Sequence, residues 1–463
     1  MPSPDHYDVL VIGSGEAGKY LAWHAAREGR RTAVVERKLV GGSCPNTNCL
    51  PSKNEIWSAK VADLVHHADR YGSTASPQPA DMGQVLARKR EMVDGLVALH
   101  LDLFRASGSE LIMGHARLTA PKTVEVGLND GSTRSLTADR LVLCLGSRAT
   151  IPNIPGLSEA APLTNVELLE LDTLPAHLIV LGGGYVGLEF AQAFRRFGSA
   201  VTVIEAGSRL AGREDPDVGD ALRDLMVDEG VAVKLDAAVV GVEGRSGGAV
   251  TVHVRTPQGE RVIAGSHLLV ATARTPNTGG IGLERAGVTI DAHGFIAVNE
   301  RLETSAAETW AVGDCAGSPQ FTHAAFDDFR VVRDNWAGGS RSTRDRLIPY
   351  CMYTDPPLAR VGLSPAEAKR EGKTVRVATL PVASVLRAKT ISETRGFLQA
   401  VVEGEGDRIL GFTMFGPDAG EVVATVQTAM LAGMPYTGLR DAILAHPTMA
   451  EGLNALLSRV PAR

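Results

Sequence analysis

Apolar residues near the N-terminus change their spacing twice. The run DVLVIG is almost entirely apolar, a glycine-rich turn and a stretch with helical character follow, and TAVVE is apolar again, so the pattern predicts strand, helix and strand over residues 8–36. Gly13, Gly15 and Gly18 stand in the turn, and Glu36 ends the second strand. Such a turn lets a pyrophosphate approach the backbone, and the acid accepts from a ribose hydroxyl. The unit therefore predicts a dinucleotide site.

The same pattern returns in the middle of the chain, over residues 177–205. Gly182, Gly184 and Gly187 again follow an apolar run, and Glu205 ends the next one. The first glycine and the acid are 23 positions apart in both copies. Two such units predict two dinucleotide sites. The glycine spacing does not distinguish a permanently bound cofactor from one that exchanges.

The C-terminal part of the chain has a different pattern. After the polar stretch 337–346, the segments 396–403 and 409–416 have the composition of strands. The apolar positions of 421–431 then fall on one face of a helix. These elements indicate a further domain that begins near Pro349.

Composition and charge exclude several classes of protein. The 463 residues are enough for about three domains. The formal charge of −6 comes from 47 basic and 53 acidic residues without a long run of one sign, so we expect no nucleic-acid partner. No stretch reaches the ~20 apolar residues of a membrane span, and the first apolar run is interpreted as a strand and not as a signal peptide. Five cysteines are too few for a disulfide scaffold, so we expect a cytoplasmic protein.

Two of the cysteines, Cys44 and Cys49, stand in the segment GGSCPNTNCLPSK. In a regular α-helix, Cα atoms five residues apart are roughly 8.7 Å from each other, whereas a disulfide requires less than about 7 Å. The pair can therefore bond only if the segment is distorted, and Pro51 bends any helix that starts here. A metal site needs more ligands than the segment offers, so we expect no bound metal. Taken alone, the pair is compatible with a reducible bridge and with ordinary buried thiols.

Further motifs identify the family that the chain resembles. They are the two glycine turns, the segment around the cysteine pair, and the runs LCLGSRATIPNIPG, ATARTPNT, TWAVGDCAG and AHPTMAEG. In this order they resemble the pyridine nucleotide-disulfide oxidoreductases, the flavoprotein family of glutathione reductase, dihydrolipoamide dehydrogenase and mercuric reductase. The resemblance covers essentially the whole chain. It is strongest to the mercuric-reductase-like branch, on TDPPLARVG and HPTMAEGL.

The resemblance implies the fold and the cofactors. It implies an FAD-binding domain over residues 1–150, an NAD-binding domain over 151–275, a return to the FAD region over 276–347 and a C-terminal α+β dimerisation domain over 348–463. The expected fold is thus α/β, with two Rossmann-like dinucleotide-binding domains. The residues expected at the two cofactors are Gly13, Gly15, Gly18, Glu36, Gly42, Lys53, Gly146, Gly182, Gly184, Tyr185, Gly187, Glu205, Arg274 and Asp314.

The resemblance also assigns roles to the redox side chains. Cys49 is expected against the flavin and Cys44 against the disulfide substrate, so that the pair opens and closes in each cycle. His446 and Glu451 match the acid–base dyad of the family, in which the acid orients the imidazole. The pair in the opening segment is thereby interpreted as a catalytic disulfide.

Four further matches surround the flavin. Lys53 and Glu189 match a pair near the reactive flavin nitrogen. Tyr185 matches the side chain that shields the flavin until the nicotinamide displaces it, and Asp314 matches the acid that holds the ribityl chain. The remaining cysteines match no catalytic position and are expected to be small buried thiols: Cys144, Cys315 and Cys351.

The activity that the resemblance implies is FAD-dependent reduction of a small disulfide by NAD(P)H. Glu205 favours NADH because a carboxylate accepts from the 2′-hydroxyl and repels a 2′-phosphate, although Arg209, four residues on, weakens that preference. The enzyme is expected to be an obligate homodimer in which each active site takes His446 from the partner subunit.

Other activities stay open. One is that of a dihydrolipoamide dehydrogenase. Another is that of a mercuric-ion reductase, although the chain ends LLSRVPAR without the cysteine pair, and starts without the metal-binding domain, that such enzymes carry. A transhydrogenase or diaphorase would not need both cysteines. A non-catalytic flavin redox sensor would leave His446 and Glu451 without a task.

Overall fold

A computed structural model of the chain describes residues 4–76 and 78–463. Its strands form a mixed sheet of six strands, a parallel sheet of four, an antiparallel sheet of five and two smaller antiparallel sheets. Helices cover the parallel regions. The expected α/β fold with two dinucleotide-binding units is confirmed.

The strands and α-helices of the described residues have the following bounds. The strands are Asp5–Ile12 (β1), Thr32–Glu36 (β2), Glu110–Ala120 (β3), Thr123–Leu128 (β4), Thr133–Leu143 (β5), Ser147–Ala149 (β6), His177–Leu181 (β7), Ala200–Ile204 (β8), Ala232–Lys234 (β9), Ala238–Gly244 (β10), Val250–Thr256 (β11), Gly259–Gly265 (β12), His267–Val270 (β13), Arg274–Pro276 (β14), Thr309–Ala311 (β15), Tyr350–Met352 (β16), Leu358–Gly362 (β17), Val375–Pro381 (β18), Phe397–Glu403 (β19) and Ile409–Phe415 (β20). The α-helices are Glu16–Arg27 (α1), Ser43–Asn46 (α2), Cys49–His66 (α3), Met82–Ser107 (α4), Asn165–Leu168 (α5), Tyr185–Phe197 (α6), Pro216–Asp228 (α7), Thr322–Trp336 (α8), Pro365–Arg370 (α9), Leu386–Thr390 (α10), Ala419–Leu431 (α11), Tyr436–Arg440 (α12) and Gly452–Leu457 (α13).

The N-terminal unit is built around β1. This strand pairs in parallel with β2 on one side and with β5 on the other, and β15, which comes much later in the chain, pairs in parallel with β5. Alternate residues of β1 enter two cores: Leu10 packs in the core on one face, and Val9 and Val11 pack with α1 on the other. Both faces are covered, so the strand is apolar at successive positions. The predicted strand–helix–strand unit is confirmed.

The second unit repeats this arrangement with a four-stranded parallel sheet in the order β13, β7, β8, β9. Its helix α6 follows the glycine turn and is buried on all sides over residues 187–194. One detail differs from the sequence prediction, because β8 ends at Ile204 and Glu205 follows the strand. The chain turns there, which brings the Glu205 carboxylate to the backbone N–H groups of Gly183 and Gly207.

The C-terminal part forms an antiparallel sheet in the order β16, β17, β20, β19, β18. The two strands and the helix expected from the sequence are β19, β20 and α11, and the helix begins at Ala419, slightly before its predicted start. Helices α11 and α13 pack on this sheet. In the described ranges, no helix is long and apolar enough to cross a membrane.

Candidate active site

The segment that carries the cysteine pair is a broken helix. Helix α2 ends at Asn46 and α3 begins at Cys49, and between them Asn48 has φ −126° and ψ −102°, outside the helical range. Because the helix is broken here, the Cα atoms of Cys44 and Cys49 do not have the separation that a regular helix would impose. Cys44 and Cys49 are free thiols that form a hydrogen bond with each other. The distortion that the sequence requires for a redox pair is therefore present.

The two sulfurs differ in charge. The hydrogen bond with Cys44 is the main cause that lowers the pKa of Cys49 to about 6, against the opposing effect of burial. The hydroxyl of Thr322, 3.3 Å from the Cys49 sulfur, and the charge of Lys53 act in the same direction. The same contact, together with burial, raises the pKa of Cys44 well above that of an ordinary thiol. Cys49 is therefore the thiolate at neutral pH, and Cys44 donates to it.

Lys53 stands one helical turn after Cys49 and is part of an ion pair. Its Nζ lies 2.7 Å from an oxygen of Glu189, a residue of α6 that is buried. The other oxygen of Glu189 accepts a hydrogen bond from the backbone N–H of Tyr353 at 2.7 Å, and the ammonium lies 4.8 Å from the centre of the Tyr353 ring. The pair therefore ties α3 to α6 and holds a positive charge near the thiolate.

His446 and Glu451 form the dyad that the resemblance implies. The Nδ1 atom of His446 lies 3.0 Å from each carboxylate oxygen of Glu451. A carboxylate only accepts, so Nδ1 carries a proton, and in the neutral imidazole Nε2 is then the acceptor. The side chain of His446 is 61% exposed, and no hydrogen bond joins it to Cys44 within the described parts of the chain. The structure thus assembles the dyad but does not bring it to the cysteines of the same chain.

The first glycine turn is closely packed. A Cβ at Gly18 would lie 2.5 Å from the carbonyl oxygen of Gly13, and a Cβ at Gly42 would lie 2.6 Å from the Cα of Gly15. Only glycine lets α1 begin against this turn and lets the redox segment lie on it. Glu36 accepts from a backbone N–H at 2.9 Å and a hydroxyl at 2.8 Å within the turn. The turn and the acid stand side by side, as an FAD site requires.

Asp314 lies at the other end of this region. One of its carboxylate oxygens accepts from the hydroxyl of Ser147 at 2.5 Å, and the other has no hydrogen bond among residues 4–76 and 78–463. Arg274 donates to the same hydroxyl at 2.8 Å and lies 4.0 Å from Asp314, so it stands with a residue that is expected at the flavin. A Cβ at Gly146 would meet nothing within 4 Å. Open space beside a free carboxylate oxygen fits a polar cofactor chain.

The second glycine turn repeats the first. A Cβ at Gly187 would lie 2.1 Å from the carbonyl oxygen of Gly182, whereas a Cβ at Gly184 would meet nothing within 4 Å. Glu205 accepts from the backbone N–H groups of Gly183 at 2.8 Å and Gly207 at 2.7 Å. The middle glycine thus faces open space at the start of α6, where backbone N–H groups attract a pyrophosphate.

Tyr185 is the first residue of α6, directly after this turn. Its hydroxyl donates to the carboxylate of Glu214, and its ring lies 5.9 Å from the ring of Tyr350. Burial, and then the Glu214 carboxylate, raise the pKa of Tyr185 above its ordinary value, so the hydroxyl is a donor at all physiological pH values. The hydroxyl end of the Tyr185 side chain is therefore held by Glu214.

The remaining cysteines are partly as expected. Cys144 and Cys315 are buried, and burial raises the pKa of Cys315 to about 12. The prediction that Cys351 is a buried thiol is wrong, because the residue is only half-buried. It is the middle residue of β16, and its side chain packs at the margin of the core of the last domain.

Several site residues were not predicted from the sequence. Thr322 contacts Cys49, Ser147 contacts Asp314, Tyr353 contacts Glu189 and Glu214 contacts Tyr185. The sequence carries a weak signal for two of them, since Ser147 lies in LCLGSRAT and Tyr353 precedes TDPPLARVG. Thr322 and Glu214 stand outside every motif.

Comparison with family models agrees with this geometry. A model described as pyridine nucleotide-disulphide oxidoreductase matches residues 7–328, and the model described as the dimerisation domain of these enzymes matches residues 348–457. The chain belongs to the pyridine nucleotide-disulfide oxidoreductase family.

Several known proteins match this chain over nearly their full length. The probable pyridine nucleotide-disulfide oxidoreductase RclA of Escherichia coli K12 is 36% identical over 460 residues, which cover 98% of this chain and 99% of the relative. A mercuric reductase of Streptomyces lividans is 35% identical over 451 residues, 96% of this chain and 94% of the relative. The solved structure of the Cu(II) complex of the HOCl-induced flavoprotein disulfide reductase RclA from Escherichia coli matches with a TM-score of 0.89, at 34% identity over 98% of this chain and 99% of that one.

Membership defines the class of enzyme. The chain is a flavoprotein disulfide oxidoreductase that uses FAD and takes its electrons from a reduced pyridine nucleotide. It carries the dimerisation domain of the family at its C-terminal end.

Proposed function

We propose that this enzyme reduces a small disulfide with electrons from NADH, and that Cys44 and Cys49 carry out the exchange. The observation that carries the proposal is the contact of Cys44 with Cys49 at the break between α2 and α3, beside the Thr322 hydroxyl and the Lys53–Glu189 ion pair. Bound FAD supplies the route for two electrons from the nicotinamide to the cysteine pair. Lys53 and Glu189 are proposed to stand near the flavin, where their ion pair fixes a charge beside Cys49.

The exchange balances in bonds, electrons and protons. The sulfur of Cys44 loses its proton to His446 and attacks one sulfur of the substrate, so that a mixed disulfide forms and the substrate S–S bond breaks. The departing sulfur takes the proton back from His446. Cys49 then attacks the sulfur of Cys44, which forms the Cys44–Cys49 disulfide and releases the second substrate thiol, protonated from solvent. The cysteine pair is oxidised by two electrons, and the substrate is reduced by two.

The proton acceptor in this proposal is His446 of the partner subunit. The thiol of Cys44 is the protonated member of the pair, so it needs a base before it can attack. His446 has a free Nε2 atom and a largely exposed side chain, and it makes no hydrogen bond to Cys44 of its own chain in the described ranges. These features support a site completed by a second copy.

We propose that NADH is preferred over NADPH. The carboxylate of Glu205 stands beside the second glycine turn, held by the N–H groups of Gly183 and Gly207. A 2′-phosphate placed next to this carboxylate would be repelled, whereas a 2′-hydroxyl would donate to it.

A soft metal ion is the second candidate substrate. Several relatives are named mercuric reductase, and one solved relative is a Cu(II) complex. A thiolate such as Cys49 is a suitable ligand for a soft metal. One Hg(II) ion would then take both electrons and become Hg(0), whereas each Cu(II) ion would take one electron and become Cu(I), so that two ions are reduced per NADH.

One assay tests the proposal and separates the candidates. FAD-loaded enzyme is given NADH or NADPH together with small disulfides (cystine, glutathione disulfide, lipoamide), Hg(II) or Cu(II). We expect turnover of at least one disulfide with NADH favoured in kcat/KM by about tenfold or more. Cys44→Ser and Cys49→Ser should each lose disulfide turnover by at least about a hundredfold and still reduce a dye with NADH.

The control is Cys351→Ser, which alters a thiol outside the proposed exchange and should keep full activity. Disulfide turnover at the wild-type rate in either single variant of the pair would refute the exchange. Turnover of Hg(II) or Cu(II) with no disulfide reduced would select the metal-ion candidate. A kcat/KM that favours NADPH would refute the assignment of Glu205.

A further inference from the structure

Glu214 is a buried acid on which several donors converge. Only 6% of its surface is exposed. One carboxylate oxygen accepts from the hydroxyls of Tyr185 and, at 2.8 Å, Tyr350, and the other oxygen lies 3.4 Å from a guanidinium nitrogen of Arg360. These donors come from separate parts of the chain, so the carboxylate joins the nucleotide unit to the C-terminal sheet.

The backbone holds Glu214 close to Tyr185. Glu214 stands at the end of the loop after β8, and this loop is bound to the second glycine turn by a hydrogen bond of 2.8 Å from the N–H of Ala211 to the carbonyl of Gly183. Tyr185 follows that turn directly. Tyr350 and Arg360 reach the carboxylate from β16 and β17. The acid is thereby fixed on two sides.

The charge of Glu214 is compensated even without Tyr185. Arg360, 3% exposed, pairs with it and also with Glu367. Tyr350 donates to the same oxygen as Tyr185. If the Tyr185 hydroxyl leaves, the carboxylate keeps a cation and one donor, so the buried charge is not stranded. The hydrogen bond between Tyr185 and Glu214 can therefore break and re-form. In an isolated buried pair, by contrast, breaking the bond would leave a buried charge without a partner.

We propose that Glu214 is a positioning residue that holds Tyr185 by its hydroxyl and so limits the entry of the nicotinamide. This inference rests on the proposed reduction by NADH and on the role that the family resemblance gives to Tyr185, the side chain that the nicotinamide displaces. Displacement of the ring moves the hydroxyl away from a carboxylate that cannot follow, because the glycine turn and the C-terminal sheet fix it. Part of the free energy of nucleotide binding is then needed to break the hydrogen bond between Tyr185 and Glu214.

The test is the affinity of the oxidised, FAD-loaded enzyme for NAD⁺, measured by calorimetry on a double-mutant cycle. Glu214→Gln keeps the shape and removes the charge, and Tyr185→Phe keeps the ring and removes the hydroxyl. Each should lower the Kd for NAD⁺ by roughly threefold to tenfold, because a larger fraction of the enzyme can accept the nicotinamide. The double variant should bind no more tightly than Tyr185→Phe, since Glu214 acts only through that hydroxyl.

Glu229→Gln is the matched control, because Glu229 pairs with Arg196 in the same unit and does not contact Tyr185. Its Kd should equal that of the wild type. An unchanged or higher Kd in Glu214→Gln, or additive effects in the double variant, would overturn the proposal. If Glu214→Gln does not fold, Tyr185→Phe decides alone, and an unchanged Kd overturns it. NAD⁺ binding does not involve the cysteines, so a failure here is distinct from a failure of disulfide exchange in Cys44→Ser and Cys49→Ser.

Discussion

At the scale of single residues, the redox pair is asymmetric because its two sulfurs have different neighbours. Cys49 accepts from Cys44 and from Thr322, and Lys53 stands one turn further along the same helix. The hydrogen bond with Cys49 and then burial raise the pKa of Cys44, nearby Glu16 adds to this effect, and the Thr322 hydroxyl lowers the pKa only in part. The negative charge of the reduced pair is therefore held on the inner sulfur, and the outer sulfur stays protonated until a base removes its proton.

This asymmetry predicts the effect of the Thr322 hydroxyl. The pKa of about 6 places Cys49 in the thiolate form above that pH, and the thiolate is lost as the pH falls through it. Thr322→Val removes one hydrogen bond to the charged form, so the ionisation midpoint of Cys49 should move up by about one pH unit. The measurement is the rate at which iodoacetamide alkylates Cys49 of the reduced protein as a function of pH, followed by mass spectrometry.

Thr322→Ser is the matched variant, because it keeps the hydroxyl and should keep the wild-type midpoint. The same midpoint in Thr322→Val as in the wild type would show that the hydroxyl does not stabilise the thiolate.

At the scale of elements, the third glycine of each turn is needed for packing, and the middle glycine of the second turn is needed for binding. Gly18 and Gly187 are required because a Cβ would meet a backbone carbonyl oxygen at 2.5 Å and 2.1 Å. Gly184 has no such contact, and its backbone lies in an extended conformation that any residue adopts. Gly18 and Gly187 therefore let the helix approach the turn, and the middle glycine of the second turn leaves room for a ligand, whereas a Cβ at Gly15 in the first turn would lie 3.1 Å from the sulfur of Cys144.

This division predicts opposite results for two alanine variants of the second turn. Gly187→Ala should destabilise the fold by about 1–3 kcal/mol through the clash with the turn. Gly184→Ala should leave the Tm unchanged and weaken the binding of NAD⁺, because the methyl group takes space beside the backbone N–H groups. Thermal unfolding and calorimetry measure the two effects. A drop in Tm for Gly184→Ala, or none for Gly187→Ala, would contradict the division.

The sequence predicted these elements because their signals are local. Apolar periodicity and glycine spacing define β1, α1, β7 and α6 within short windows, and the predicted ends differ from the structure by at most three residues. Roles of single residues such as His446 came only through the resemblance to a family. The contact of Cys49 with Thr322 spans 273 positions, and that of Glu214 with Tyr350 spans 136, so both depend on packing that no local pattern encodes.

At the scale of the whole molecule, the dyad of one chain has an exposed imidazole and forms no hydrogen bond with the cysteine pair of that chain in the described ranges. His446 is 61% exposed, and the neighbouring Ile443 is fully exposed. On α11, Leu431 is also largely exposed, in the region that matches the dimerisation domain of the family. Exposed apolar side chains in this domain, and an imidazole without a contact to Cys44 of its own chain among residues 4–76 and 78–463, are what an isologous interface would cover.

The central claim is that each active site combines Cys44 of one subunit with His446 of its partner. Two chains with different affinity tags are co-expressed, one with Cys44→Ala and one with His446→Ala, and dimers that carry both tags are purified. One of the two sites then has both groups intact, so disulfide turnover should be about half that of the wild type. The reciprocal control pairs a wild-type chain with a chain that carries both substitutions, and this dimer should be nearly inactive. The reverse result, an inactive first dimer and a half-active second one, would place both groups in one chain and contradict the account.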